Sequence, residues 1–79
     1  MDNQQQSETF GSRAVGLGFN PSGDVPTQQL KEAAAKFIDI CNGYRNATED
    51  GEQKRMFSVA ITEAQTAQMW AVKAATWNL

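Results

Sequence analysis

The sequence predicts an all-α fold: an antiparallel helical hairpin behind a glycine-rich N-terminal loop segment, assembled into a homo-oligomer. Three observations carry this expectation. The stretch from Arg55 to Leu79 has no Gly or Pro and is rich in alanine, so it reads as one long helix. Upstream, Leu30, Ala34, Phe37, Cys41 and Tyr44 recur at spacings of four, three, four and three, the seam of another helix. Between the two lies NATEDG, Asn46 to Gly51, short, polar and without a large apolar residue. A connection that short makes its helices antiparallel neighbours.

Seventy-nine residues form one domain at most. The expected division is a flexible N-terminal segment, residues 1–12, and a hairpin domain for oligomerisation and ligand binding, residues 13–79. A chain this small gains little from its own core and needs a disulfide, a metal or copies of itself. Cys41 is the one cysteine and there is no histidine, which excludes an intrachain disulfide and any ordinary zinc site. Oligomerisation remains, and Cys41 reads as a small, reduced core residue. Without histidine the commonest general base is gone, and with it the Ser-His and Cys-His nucleophile pairs. The expectation is a protein that is not an enzyme, with no catalytic residue, no metal and no cofactor.

Seven basic residues stand against nine acidic ones, a net charge of -2. No basic run is present, so duplex nucleic acid is not an expected partner. No apolar run approaches a membrane span, and the polar start MDNQQQSETF lacks the features of a secretory signal. A cytosolic location follows as the expectation.

Taken in order, residues Met1 to Ser12 bury too little to offset their ordering entropy, and Phe10 is the residue able to anchor them. In RAVGLGFNPSGD, Arg13 to Asp24, glycines alternate with Val15, Leu17 and Phe19. Asn20-Pro21-Ser22-Gly23 is a turn signature, since Pro sets one dihedral and Gly supplies a positive one. The segment is either a connector with hydrophobic pegs or a ligand loop whose amides, Asn20 and Ser22 face an anion. It matches neither the Walker pattern nor the dinucleotide fingerprint. The first long helix begins at Asp24-Val25-Pro26, with Asp24 or Thr27 as cap and Pro in the first turn. Its end is expected near Arg45.

The second long helix is expected from Thr48–Glu52 to about Thr76. It carries two apolar rows. One is Met56, Ala60, Glu63, Ala67, Trp70, Ala74 and Trp77; the other is Phe57, Ile61, Ala64, Gln68, Ala71 and Ala75. A single row suffices for packing on the first helix, so the surplus calls for other copies. The plain alternative is a two-helix core with a harmless alanine face. Arg55, Ser58 and Thr62 share one side of this helix, and guanidinium and hydroxyls all donate to phosphate oxygens. Surface Arg, Ser and Thr are also common without any ligand.

Two stretches in the right order, RAVGLGFNPSG before the first helix and SVAITEAQTAQMWAVKAATW in the second, carry a likeness to a known family. The FNPSG turn, Lys31 early in the first helix, the R-x-x-S-x-x-I-T run and the tail MWAVKA together resemble the phage anti-CBASS cyclic-oligonucleotide sponges. The resemblance covers roughly residues 13–77. It implies a homohexamer of helical hairpins in the cytoplasm of the infected bacterial host. Such sponges bind the cyclic dinucleotide and trinucleotide messengers of CBASS immunity without cleaving them, so the effector is not activated. Related sponges capture signals of the Thoeris system.

By the same resemblance, two separate pockets form between protomers. For the dinucleotide the matching residues are Phe19, Asn20, Pro21, Ser22 and Lys31, with Phe10 and Arg13 as further candidates. The family's stacking residue is often Tyr; Phe here keeps the stacking surface and lacks the hydroxyl. For the trinucleotide the matching residues are Arg55, Ser58 and Thr62. The other reading kept open is a helical homo-oligomer acting as a protein-interaction or regulatory module, with no nucleotide ligand.

Overall fold

The computed structural model describes residues 8–21 and 23–78. Three helices follow one another: α1, Phe10–Ala14; α2, Val25–Ala47; and α3, Gly51–Ala75. The all-α hairpin expected from the sequence is present, with α2 and α3 packed together and α1 laid across α2. Asp24 caps α2 by accepting from the Thr27 amide at 3.0 Å, and Pro26 lies in its first turn. Asp50 caps α3, accepting from the amides of Glu52 and Gln53 at 2.9 and 3.0 Å. The α2–α3 connection is only Thr48 to Asp50, so the hairpin is tight.

Helix α1 is a single five-residue turn, too short to persist alone. It spans Ser12 and Arg13, the expected boundary between segment and domain; residues 1–7 lie outside the described residues. A capping box closes its start. The Ser12 amide donates to Thr9 Oγ1 at 3.0 Å, and the Thr9 amide donates to Ser12 Oγ at 2.9 Å. Contact with α2 does the rest. Gly11 is buried, and its amide donates to the Asp39 carboxylate at 2.7 Å.

The core consists of Val15, Ala35, Ile38, Cys41 and Ile61, flanked by Ala14, Leu17, Ala34, Phe57, Ala60 and Ala64. Ile38 is fully buried, which contributes about 1.5–3 kcal/mol. The buried row of α2 runs Thr27, Lys31, Ala35, Ile38, Cys41. Of the expected seam, Cys41 belongs to this row, whereas Leu30, Ala34, Phe37 and Tyr44 lie beside it, on the α3 edge. There Phe37 borders an alanine-lined groove against α3, and the Tyr44 and Phe57 rings stack 6.1 Å apart. The difference has a simple cause. Lys31, Ala35 and Asp39 meet α1 and the loop, so the row between the two neighbours is covered from both sides. The sequence pattern of α2 anticipates only one neighbour.

Of the two apolar rows of α3, the one containing Ile61 and Gln68 packs inward. The other is open apart from Ala60, with Met56, Trp70 and Trp77 exposed; the Trp side chains are 67% and 70% accessible. The Cα extents, 44 × 36 × 12 Å, describe a slab about one helix thick. Such a slab covers one face of each helix and leaves the other open.

Candidate functional site

The loop between α1 and α2 is shaped by two glycines in the left-handed region, Gly16 at φ 62° and Gly23 at φ 67°. The Phe19 amide donates to the Gly16 carbonyl at 2.9 Å, and the Gly23 amide closes the expected Asn20–Gly23 turn on the Asn20 carbonyl at 3.0 Å. Ser22, one of the residues singled out by sequence, lies outside the described residues. Pro21 is exposed on the same turn.

Lys31 organises this loop from below. It is buried, and its ammonium donates to the Gly16 carbonyl at 3.1 Å and, through a short bond, to the Phe19 carbonyl. The Phe19 ring lies over it, 5.6 Å from ring centroid to Nζ, and is itself 71% exposed. Among the described residues no carboxylate pairs with Lys31. The carbonyl dipoles ease its burial but leave its charge uncancelled.

Two further polar atoms stand beside this pair. Asn20 donates through Nδ2 to the Asp24 carbonyl at 3.2 Å, yet its Oδ1 is buried without a partner. Thr27, one turn before Lys31, has its Oγ1 buried and unpartnered as well. Buried polar atoms without partners are uncommon, and each is a point where a donor would be favourable. Thr27 is a residue that sequence reasoning used only as a possible cap. Its signal was the spacing of four to Lys31.

The remaining candidates separate. Phe10 is not near Phe19's cation; its ring lies over Arg45, with 5.4 Å from the centroid to Cζ. Arg45 in turn donates from Nη1 to Ser58 Oγ at 2.9 Å and from Nη2 to Asn42 Oδ1 at 2.7 Å. Arg55, one turn before Ser58, turns instead to Glu52, which it grips through both Nε and Nη2. The guanidinium holds the Glu52 carboxyl below its ordinary value, and Glu52 raises that of Arg55. Thr62 is exposed on the same helix, and Arg13 is exposed at the end of α1. Of the sequence-predicted set, the structure thus joins Phe19 to Lys31, with Asn20 at the adjoining turn. It joins Phe10 and Ser58 through Arg45, which sequence reasoning passed over as a helix end.

Two other features bound what the surface can hold. A groove of about 530 Å³ between α1 and α2 is lined by Glu8, Glu32 and Asp39 against the single cation Lys36, an unfavourable setting for a polyanion. At the far end of α3, Trp70 and Trp77 flank Lys73, whose Nζ is 5.8 Å from the Trp77 ring. Among the described residues there is no group of His, Cys, Asp and Glu able to hold a metal ion, and no helix long and apolar enough to cross a membrane.

The family described as Acb2/Tad1, hairpin domain, matches residues 12–76 of the chain. No curated protein and no solved structure matches it. The matched span begins within α1 and ends just beyond α3, so it contains the loop, Lys31, the whole of α2 and α3, and the Arg45–Ser58 contact.

Proposed function

The chain belongs to the Acb2/Tad1 hairpin-domain family, and from that premise we propose that it is a phage-encoded sponge. It binds cyclic oligonucleotide immune messengers, cyclic dinucleotides and also cyclic trinucleotides, and holds them intact so that CBASS effectors are not activated. The observation that carries this reading is the Lys31–Phe19 pair: a buried ammonium without a carboxylate partner among the described residues, under an exposed aromatic ring. A flat base stacks on the ring for about 1–3 kcal/mol. A phosphate meets the charge that the loop carbonyls leave uncancelled. Phe19, Asn20, Pro21, Ser22 and Lys31 are the dinucleotide set, with Arg13 as a further candidate; Phe10, over Arg45, lies apart from them in the single chain. Ser58 and Thr62, on one side of α3, are the trinucleotide set; Arg55, the third candidate there, is already engaged by Glu52.

The working form is a homohexamer in the cytoplasm of the infected host. The open row of α3, with Met56, Trp70 and Trp77, and the exposed Phe37, Ile40 and Tyr44 of α2 supply apolar surface for copies to cover. Enclosure between copies also supplies what a sponge needs, a dry pocket with slow release. Sequestration requires no base, nucleophile or metal.

The test is a calorimetric titration with cyclic dinucleotides and cyclic trinucleotides, followed by heat denaturation and assay of the released ligand. Tight binding with intact ligand recovered is the expected result. Cleaved product would replace the sponge by an enzyme. Absence of binding to every messenger would favour a protein-interaction module.

A further inference from the structure

We propose that Arg45, with Ser58 and Asn42, forms a binding site for a phosphodiester anion at the turn end of the hairpin, and that Arg45 rather than Arg55 is the cation serving it. The identity of the ligand as a cyclic oligonucleotide rests on the function proposed above; the anion site itself rests on the surroundings of the Arg45 guanidinium.

The Arg45 guanidinium is fixed on three sides. Phe10 covers one face at 5.4 Å, Ser58 Oγ takes one Nη1 proton at 2.9 Å, and Asn42 Oδ1 takes one Nη2 proton at 2.7 Å. A guanidinium has five N–H donors, so these two bonds leave most of its donors unused. Ser58 is already an acceptor for Arg45, which leaves its own hydroxyl proton to donate elsewhere. The Asn42 amide nitrogen, next to the oxygen that Arg45 holds, carries two further donors. Arg45, Ser58 and Asn42 are half-buried, and among the described residues no carboxylate pairs with Arg45.

The contrast with Arg55 decides between the two cations. Arg55 is exposed and held by both oxygens of Glu52. An incoming anion would have to displace a carboxylate already seated in the bidentate fork. At Arg45 it displaces nothing ionic. The charge there faces neutral acceptors in a chain whose acidic residues outnumber its basic ones, nine to seven. Position at the end of α2 helps hold the cation, because the C-terminal carbonyls favour positive charge. The stacked ring and two side-chain bonds also remove most of the rotamer entropy that anion binding would otherwise cost.

Wild type, Arg45→Gln and Arg55→Gln are titrated calorimetrically with cyclic di-AMP and cyclic tri-AMP, and by phosphorus NMR with inorganic phosphate. Thermal melting and light scattering are run on each. Arg45→Gln is expected to weaken the messenger that the wild type binds by about tenfold or more, with melting temperature and mass unchanged, while Arg55→Gln binds nearly as wild type. Wild-type affinity in Arg45→Gln, or an equal loss in Arg55→Gln, overturns the assignment. Should Arg45→Gln fail to fold, Ser58→Ala decides: a weakened affinity supports the site and an unchanged one removes it. If the wild type binds neither messenger, the proposed function fails, and the phosphate titration judges the site by itself. A phosphate response lost in Arg45→Gln sustains an anion site of another purpose; no response in the wild type overturns it.

Discussion

The amide of Gly11 donates to the carboxylate of Asp39 at 2.7 Å, bridging a gap of 28 residues and setting the first turn of α1 directly on α2. The approach is possible only because Gly11 has no side chain. A Cβ there would stand 2.1 Å from the Ala35 carbonyl oxygen, and a backbone atom of a helix has no means of stepping aside. This contact and Lys31, which ties down the loop carbonyls, together fix the strap that carries Phe19.

Gly11→Ala is therefore expected to destabilise the fold by about 1–3 kcal/mol, the usual scale of overpacking. Denaturant unfolding measures it. The same substitution at Gly43, which has open space around it, supplies the control. Similar midpoints for the two variants would mean that α1 is not seated as described.

Lys31→Ala is expected to weaken cyclic dinucleotide binding by about tenfold or more, the scale of a lost charged contact, while cyclic trinucleotide binding survives. Calorimetry with both ligands separates the outcomes. Equal loss of both would argue against separate pockets.

Thr27→Val keeps the shape of the side chain and removes a hydroxyl that has no partner. Stability should hold or rise by up to about 1 kcal/mol, because an unmade hydrogen bond carries a desolvation cost. A fall in melting temperature would show instead that a bound water satisfies the hydroxyl.

Trp70→Glu places a charge in the middle of the open row of α3, where Trp70 is 67% exposed in the single chain. A lone chain should tolerate it with unchanged helicity. Light scattering is expected to show the mass falling toward that of one chain. An unchanged assembly would put the subunit contacts on another face.

Much of the fold was legible because the strongest signals are local. Asp24 and Pro26 mark the start of α2 by satisfying or lacking amides at the helix end, and the Asp50 cap of α3 falls inside the expected Thr48–Glu52 start. The first long helix runs to Ala47, where Arg45 was expected to end it, because the Thr48 amide still reaches the Tyr44 carbonyl. The two rows of α3 were also readable, and the row with Ile61 proved to be the inward one. The faces of α2 were harder. The pattern marked Phe37 and Tyr44 as seam, yet they lie half open while Lys31 and Thr27 are buried. Burial of a lysine is unreadable in a hydrophobic pattern, because the carbonyls that permit it come from a loop 12 and 15 residues away.

The candidate site divides in the same way. Phe19 and Lys31 could be proposed together from motif and order. Arg45 could not, since its partners Ser58 and Phe10 come from the other helices and only the packing of α1, α2 and α3 unites them. From the sequence alone came the two long helices, the cap of α2, and the excess of one side of α3 over what a single partner helix can cover; α1 and its Thr9–Ser12 capping box were not among them. Those properties depend on neighbours a few positions apart. The tertiary structure decided which cations are free of carboxylates, which ring covers which cation, and which polar atoms are left without partners. Those are properties of side chains meeting across distant parts of the chain, and no local pattern encodes them.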